Sequence, residues 1–545
     1  MRDYYKMKSI VEKYQQINNI KFINERYGKM QWVQISGHEM LNDTDAEYWC
    51  ALVSMDKLPK VFNRCDWDIC NMNGGPGFVG CCDKYEYKQN LLDEGFEQLL
   101  YYREFYGVKE NYVELSQEFI LLNNLYFDMQ KNIYYAICEN GDFEEVVRIN
   151  NKDTVSVKLS FLLRYATAKQ MAVLLFFDIR ASICGSLKSY GLTKYSDVRK
   201  EKDLYYEIWG DEMHMSSEME VYSVLMGKKI LYPRSVESCG YWPYEKGEKY
   251  EDYIIGIGES GNAKTYTCDP DKLANYFGAN PDAPHYLTPV FFKREVLQKY
   301  LSHPELYEVR DGYLACKSLW GIQIDNHHKD YVAAYLGDLG RDLPESERLY
   351  WKSFNVISEE KISKTTFERD FLCIPAKSDM IEHKFKQHYI EINEIWNKAY
   401  GWRIFLPLSA DDQYNFDVLR IPITDSQEEF DSLVLSLVKV LIDSLNEKRI
   451  QEMLEDEESQ KGISKLEKWL KKTDCKGYEI HIQFLRDLQE LRSTGTGHRK
   501  GNNYEKISTK FSIGYKGLKD VFEEILLKSD NFMRLLYEIA TEKMM

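Results

Sequence analysis

The feature that most constrains this chain is its last 120 residues, which contain no proline. All thirteen prolines of the sequence lie before Ser426. Because proline breaks helix interiors, such a stretch can form long helices. Apolar residues recur at helical spacing in four segments, namely 426–454, 463–470, 476–492 and 517 onward, with a candidate break at 529–531. We therefore predict an all-α four-helix bundle over 426–545, with Ser426 as the first helix cap.

The preceding residues, 1–425, show short alternating strand patterns mixed with helices and turns. Met171–Phe177 is apolar without alternation, which predicts a central strand buried on both faces. Thr154–Gln170 is predicted to be a helix. The whole region is predicted to be a large mixed α+β, mainly antiparallel part, with a sensor or regulatory role and a subdivision near residue 240 as one option.

A glycine pattern in this region resembles a nucleotide-binding motif. Gly256, Gly258 and Gly261 follow an apolar strand with G-x-G-x-x-G spacing. Both nucleotide motifs require a helix next, whose N-terminal amides hold the phosphates. A strand pattern follows instead, so we predict a hairpin whose turn is 259–262, with nucleotide binding as the alternative.

Two groups of candidate metal ligands are also present. Cys65, Cys70, Cys81 and Cys82 lie within eighteen residues, but they lack the C-x2-C pairs of zinc ribbons. We favour buried thiols and leave zinc as the alternative. The pair at 327–328 consists of adjacent histidines between turn residues, and we interpret it as a solvated loop in preference to a metal site.

Composition limits the functional class and the compartment. The formal net charge is −16, which argues against a protein that coats nucleic acid over its whole surface. The twelve cysteines are scattered, which indicates free thiols in a reducing compartment. No secretory signal and no apolar run of membrane-spanning length is apparent, so we expect a cytoplasmic protein that does not enter a membrane.

The strongest candidate for chemistry lies at the end of the third helical segment. Arg492 and His498 are separated by five residues in a glycine-containing loop. A guanidinium can grip a phosphate with two hydrogen bonds, and an imidazole transfers protons near neutral pH. RNA cleavage without a metal needs both a positive hydrogen-bond donor for the phosphate and a group that transfers protons. Arg492 follows the apolar stripe of its helix, so a structural ion pair with Glu490 or with an acid on a neighbouring helix is the alternative.

Charge around this motif is opposite in sign to that of the whole chain. Lys461–Lys519 contains 14 Lys and Arg against 6 Asp and Glu, so its net charge is 14 − 6 = +8. Such a local basic field is typical of an RNA-binding surface, although a solvated basic face would have the same composition.

A predicted helical bundle with an R-x4–6-H motif after its third helix resembles the HEPN superfamily (higher eukaryote and prokaryote nucleotide-binding), in the variant at the C-terminus of ApeA-like bacterial defence proteins. The resemblance implies that His498 is the general acid or base and that Arg492 stabilises the phosphorane-like transition state. It implies that Arg499 and Lys500 hold flanking phosphates. Ser493 stands where the family often has Asn, Asp or His, and would contact RNA by hydrogen bonding.

The resemblance further implies a metal-independent endoribonuclease of a prokaryotic, abortive-infection-like defence system. It would need no cofactor, would act on RNA, with transfer RNA as one candidate, and would form a homodimer through the C-terminal bundle. A phage-derived trigger would release its activity. The alternative is a non-catalytic HEPN module that binds nucleotide or RNA, or dimerises, in the service of the N-terminal sensor region.

Overall fold

The computed structural model describes residues 2–67, 76–81, 84–88, 92, 94–215, 218–358, 360–454, 462–473, 475–495 and 501–544. Within these residues the contacts divide the chain into two compact units. The first contains 1–138 and 142–247, and the second contains 139–141 and 248–545. Helices and strands are both abundant, so the predicted α+β class is confirmed.

Among the described residues, the first unit contains fifteen strands, of which eleven form one large sheet and four form two separate two-stranded sheets. Its strands are β1 (Trp32–Leu41), β2 (Thr44–Ser54), β3 (Gly77–Cys81), β4 (Lys84–Lys88), β5 (Phe96–Glu97), β6 (Leu100–Arg103), β7 (Tyr112–Leu115), β8 (Tyr126–Asp128), β9 (Ile133–Ile137), β10 (Phe143–Asn150), β11 (Thr154–Lys158), β12 (Met171–Cys184), β13 (Tyr195–Lys200), β14 (Leu204–Met215) and β15 (Glu218–Leu231). The sheet runs in the order β13-β14-β15-β12-β2-β1-β11-β10-β9-β8, and β5 also pairs with β2. Its pairings between described strands are antiparallel, as the sequence predicted.

The centre of this sheet is β12, which pairs with β2 on one side and β15 on the other. Every residue of Met171–Phe177 is buried, so the predicted central strand is confirmed. The helices of this unit are α1 (Arg2–Tyr14), α2 (Ile17–Glu25), α3 (Leu58–Val61), α4 (Gln117–Leu122) and α5 (Leu159–Lys169). The helix predicted over Thr154–Gln170 is wrong in its first five residues, which form β11. Their Val155 and Val157 side chains are fully buried in the sheet core, where β-branched residues pack well.

The second unit begins with small sheets. Their strands are β16 (Asp252–Ile257), β17 (Ala263–Thr267), β18 (Pro289–Lys293), β19 (Tyr307–Arg310), β20 (Tyr313–Cys316), β21 (Trp320–Gln323), β22 (Tyr331–Tyr335) and β23 (Asn355–Val356). Strands β16 and β17 form an antiparallel hairpin, and the Gly258 amide donates to the Asn262 carbonyl across its turn. The hairpin predicted at the glycine pattern is therefore confirmed.

Helices form the rest of the second unit. They are α6 (Gln298–Leu301), α7 (Leu336–Asp342), α8 (Glu345–Lys352), α9 (Lys364–Asp370), α10 (Ile381–Tyr400), α11 (Tyr414–Asp417), α12 (Gln427–Val438), α13 (Glu447–Leu454), α14 (Gly462–Lys472), α15 (Tyr478–Gly495), α16 (Asn502–Lys510) and α17 (Leu518–Met544). A single π-helical turn, Lys439–Asp443, continues α12. The Ser426 hydroxyl accepts a hydrogen bond from the Glu429 amide, so the predicted cap is confirmed.

The hydrophobic core of these helices is larger than the four predicted segments. Its buried members include Phe385, Ile392 and Trp396 of α10, a helix that lies before residue 426. The first predicted segment is divided into α12 and α13, and α16 is an additional helix. The candidate break at 529–531 is wrong, because α17 continues through it. The four-helix HEPN arrangement and the boundary at 425/426 therefore stay predictions.

Candidate functional site

Helix α15 fixes the position of Arg492. Ile482, Leu485 and Leu488 lie on one face of this helix and are at most 1% exposed. This stripe anchors the helix in the core, as its spacing predicted. Arg492 follows Leu488 by one helical turn and lies at the margin of the packed face, with its side chain 31% exposed. The helix therefore presents the guanidinium at the boundary between core and solvent.

A carboxylate on the neighbouring helix holds this guanidinium. Arg492 Nη1 donates a hydrogen bond to Asp443 Oδ2 at 2.7 Å. Asp443 is the last residue of the π-helical turn, a local irregularity that is frequent at functional sites. The predicted alternative, an ion pair with an acid on a neighbouring helix, is thus observed. Because both side chains are partly exposed, the pair itself stabilises the fold by at most about 1 kcal/mol.

The residues after Arg492 close the helix with local hydrogen bonds. Ser493 Oγ donates to the Glu490 carbonyl at 3.2 Å, and Thr494 Oγ1 donates to the same carbonyl at 2.8 Å. Ser493 is exposed, and its hydroxyl oxygen still has accepting capacity for a ligand. Its predicted contact with RNA stays a prediction.

The remaining predicted site residues, His498, Arg499 and Lys500, lie outside the residues that the structure describes. The described ends on either side of them are close together. A methyl group added to Gly495 would lie 3.4 Å from the ring of Tyr504 on α16. The chain therefore leaves α15 and enters α16 within one small region next to Arg492.

Several cations of the predicted basic segment have acidic partners. Arg486 Nη2 lies 2.5 Å from Glu467 Oε2, Lys510 Nζ lies 2.6 Å from Asp487 Oδ1, and Lys465 pairs with Glu447. These pairs reduce the local field that the composition alone indicated. Among the described residues, the basic composition of this segment is therefore partly neutralised by these ion pairs.

A second cluster of chemistry-bearing residues lies among the small sheets. Asp311 follows β19, His327 follows β21 and His383 is in the first turn of α10. His327 Nε2 lies 2.5 Å from Asp311 Oδ1, and His383 Nδ1 lies 3.7 Å from the same oxygen. The prediction that 327–328 is a solvated loop is wrong, because the His327 side chain is only 3% exposed.

The electrostatics of this cluster come from burial and from carboxylates. Burial would lower the pKa of His327, but hydrogen bonds to Asp311 and Asp325 outweigh it and raise the pKa to about 9. Burial lowers the pKa of His383, which keeps that imidazole neutral. Burial would raise the pKa of Asp311, yet hydrogen bonds from Arg369 and His327 hold it well below its usual range. The cluster therefore contains one cationic and one neutral imidazole around a carboxylate.

Little in the sequence indicated this cluster. Its three residues are separated by 16 and 56 positions, so no local spacing marks them as ligands. The adjacent histidines at 327–328 were the available signal, and turn residues on both sides favoured a solvated loop. Asp311 and His383 also line a cavity of about 910 Å³ in the second unit.

Comparisons of the chain with protein-family models, with curated proteins and with solved structures found no match. The resemblance to HEPN proteins therefore depends on the spacing of Arg492 and His498 and on the helical context alone. Among the helices that the structure describes, none combines the length and the apolarity needed to cross a bilayer. Of the four cysteines in the predicted cluster, Cys70, Cys82 and the side chain of Cys81 lie outside the described residues, so the choice between buried thiols and zinc stays a prediction.

Proposed function

We propose that this chain is a metal-independent endoribonuclease of the HEPN type that serves in prokaryotic defence. The observation that carries the proposal is the position of Arg492. Its guanidinium is anchored by Asp443 yet remains 31% exposed at the end of α15. The sequence places His498 six residues after Arg492 and three residues after Gly495. Adjoining parts of the chain thus provide a hydrogen-bond donor for a phosphate and a group that can transfer a proton.

The proposed reaction uses the 2′-hydroxyl of RNA as nucleophile. His498 takes the proton of that hydroxyl as its oxygen attacks the adjacent phosphorus, and the bond from phosphorus to the 5′-oxygen breaks. Arg492 donates hydrogen bonds to the phosphorus oxygens, on which negative charge increases in the transition state. The departing 5′-oxygen receives a proton from solvent or from a second histidine. The products are a 2′,3′-cyclic phosphate and a 5′-hydroxyl.

Three further elements belong to this proposal. Two helical regions would pair in a homodimer, so that two Arg492 and His498 sets share one RNA cleft. The N-terminal α+β region would sense a phage-derived trigger that raises the basal rate of the nuclease. Ser493, Arg499 and Lys500 would contact the RNA backbone beside the cleavage position.

A second candidate function is supported by the ion pair itself. Because Arg492 already has a carboxylate partner, Asp443, the ion pair gives this arginine a structural role, and the helices would then serve as a non-catalytic nucleotide-binding, RNA-binding or dimerisation module. This alternative requires binding of RNA without breakage of its backbone.

The experiment that separates the two candidates compares two arginines of the same helix. Purified wild type, Arg492→Ala and Arg486→Ala would each be incubated with total RNA in EDTA. Arg486 is a matched control, since it is also on α15 and also paired with an acid, Glu467.

We expect Arg492→Ala to lower the cleavage rate by about 100- to 1,000-fold, as for loss of one transition-state donor. We expect Arg486→Ala to cleave like wild type. Equal cleavage by all three proteins, or RNA binding with no cleavage by wild type, would overturn the proposal.

A further inference from the structure

We propose that Asp311, His327 and His383 form a binding site for a divalent transition metal ion, with zinc as the representative member of that class. The three side chains come from separate segments of the second unit. One potential ligand atom from each lies within 4.8 Å of the other two. The site is distinct from Arg492 and independent of the proposed ribonuclease.

The donor set determines the class of metal. Two imidazole nitrogens and one carboxylate oxygen are ligands that zinc and neighbouring transition metals accept. Calcium and magnesium prefer oxygen ligands alone, so this set disfavours both ions. Three protein ligands also leave at least one coordination position for water or another ligand, as in catalytic zinc sites.

Groups around the three ligands hold them in place. Asp325 Oδ1 lies 3.0 Å from His327 Nδ1, which directs Nε2 of the same ring toward Asp311. Such a carboxylate behind an imidazole is the usual support of a metal-bound histidine. Arg369 donates from Nη1 to Asp311 Oδ1 and from Nη2 to Asp311 Oδ2, both at 2.8 Å, and this bidentate pair orients the carboxylate with Oδ1 also near the two histidines. Asp325 and Arg369 are therefore positioning residues.

Metal binding must displace the hydrogen bonds that the ligand atoms now make. Both ring nitrogens of His327 lie within hydrogen-bond distance of a carboxylate, so a proton on Nε2 must leave before this nitrogen binds the metal. The Ser378 hydroxyl lies 2.9 Å from His383 Nδ1, and this hydrogen bond gives way to the metal. The balance is M²⁺ plus protonated His327 giving metal-bound His327 plus one proton.

Two of the three ligands, Asp311 and His383, line a cavity of about 910 Å³. Its lining includes the cations Lys386 and Arg420 and also the carboxylates Glu382 and Asp417. Arg420 Nη2 donates to Glu429 Oε1 at 2.8 Å, so this guanidinium already has an anionic partner.

The test is metal titration of the full-length, metal-stripped protein by calorimetry, with Zn²⁺ and with Co²⁺. We compare wild type with His327→Ala and His383→Gln, and His303→Ala is the matched control. His303 also lies beside a carboxylate, 3.1 Å from Glu305, but is exposed.

We expect wild type and His303→Ala to bind one metal ion that both cluster variants fail to bind. Identical stoichiometry and affinity in all four proteins would overturn the proposal.

Two additional measurements distinguish loss of the metal site from misfolding and test whether a cysteine is a metal ligand. Asp325→Asn keeps all three ligands, so its site should persist with affinity weakened by about 10- to 100-fold. The Co²⁺ complex should show visible d–d absorption without thiolate charge-transfer bands, because no cysteine is a ligand. Thiolate bands that persist in His327→Ala, with no other cobalt signal in wild type, would assign the metal to cysteines and contradict the proposal.

Discussion

Arg492 at the end of α15 donates to Asp443 at the end of the π-helical turn after α12, across 2.7 Å. The two residues are 49 positions apart in the sequence, and the packing of α12 against α15 brings them together. The ion pair thereby connects the candidate catalytic arginine to the π-helical turn that continues α12.

The first prediction concerns Asp443. Replacement by asparagine, Asp443→Asn, removes the charge that orients Arg492 but keeps the shape of the side chain. We expect the free energy of unfolding to fall by at most about 1 kcal/mol, because the pair is partly exposed. The cleavage rate should fall as well, but less than in Arg492→Ala, since the guanidinium remains. Urea unfolding and RNA cleavage assays measure the two effects. An unchanged cleavage rate would show that Asp443 does not position Arg492.

The second prediction tests whether α10 belongs to the helical core. Trp396 is fully buried, and its ring centroid lies 5.3 Å from that of Trp469 on α14. We expect Trp396→Ala to lower the free energy of unfolding by about 3–5 kcal/mol, as for other large-to-small core replacements. Ile390→Ala, at an exposed position of the same helix, should change it by less than about 0.5 kcal/mol. Equal losses in both variants, measured by urea unfolding, would contradict the packing of α10.

The sequence predicted elements whose signal is local. The apolar run Met171–Phe177, the hairpin turn at 259–262 and the Ser426 cap each depend on neighbouring residues, and all three are confirmed. Thr154–Lys158 was assigned to a helix because its residues precede a strong helical pattern. Its pairing with β1 and β10, which decides the conformation, comes from distant parts of the chain.

Features set by distant partners could not be predicted. Asp530 resembles a turn residue in the sequence, but α17 continues because His388 Nδ1 on α10 lies 2.5 Å from its carboxylate. The buried Ser529 hydroxyl similarly donates to the Ile525 carbonyl. The Asp311, His327 and His383 cluster needs three segments to come together. For the candidate nuclease site, the sequence predicted the edge position of Arg492, whereas Asp443 was identifiable only from the packed helices.

The third prediction is a pH dependence of stability due to His481 on α15. Burial lowers the pKa of this histidine from its ordinary value of 6.5. The folded state thus binds a proton less readily than the unfolded state, so the stabilisation present above pH 6.5 is lost as the pH falls below it. We expect His481→Gln to lose less unfolding free energy than wild type between pH 7 and pH 5. Parallel pH profiles of the two proteins in urea unfolding would contradict this assignment.

The fourth prediction concerns the nucleophile. An RNA oligonucleotide with a single 2′-deoxy residue on the 5′ side of the preferred cleavage position lacks the attacking hydroxyl. We expect cleavage at that position to disappear while binding weakens little, because phosphate contacts are retained. The all-RNA oligonucleotide of the same sequence is the control. Undiminished cleavage, followed on a denaturing gel, would require a nucleophile other than the 2′-hydroxyl.

The most direct test of the central claim is end-group analysis of RNA cleaved in EDTA by wild type and by His498→Ala. The account predicts that wild type leaves 2′,3′-cyclic phosphate and 5′-hydroxyl ends, and that a folded His498→Ala protein leaves the RNA intact. Cleavage by His498→Ala at the wild-type rate, or 5′-phosphate ends from wild type, would contradict it.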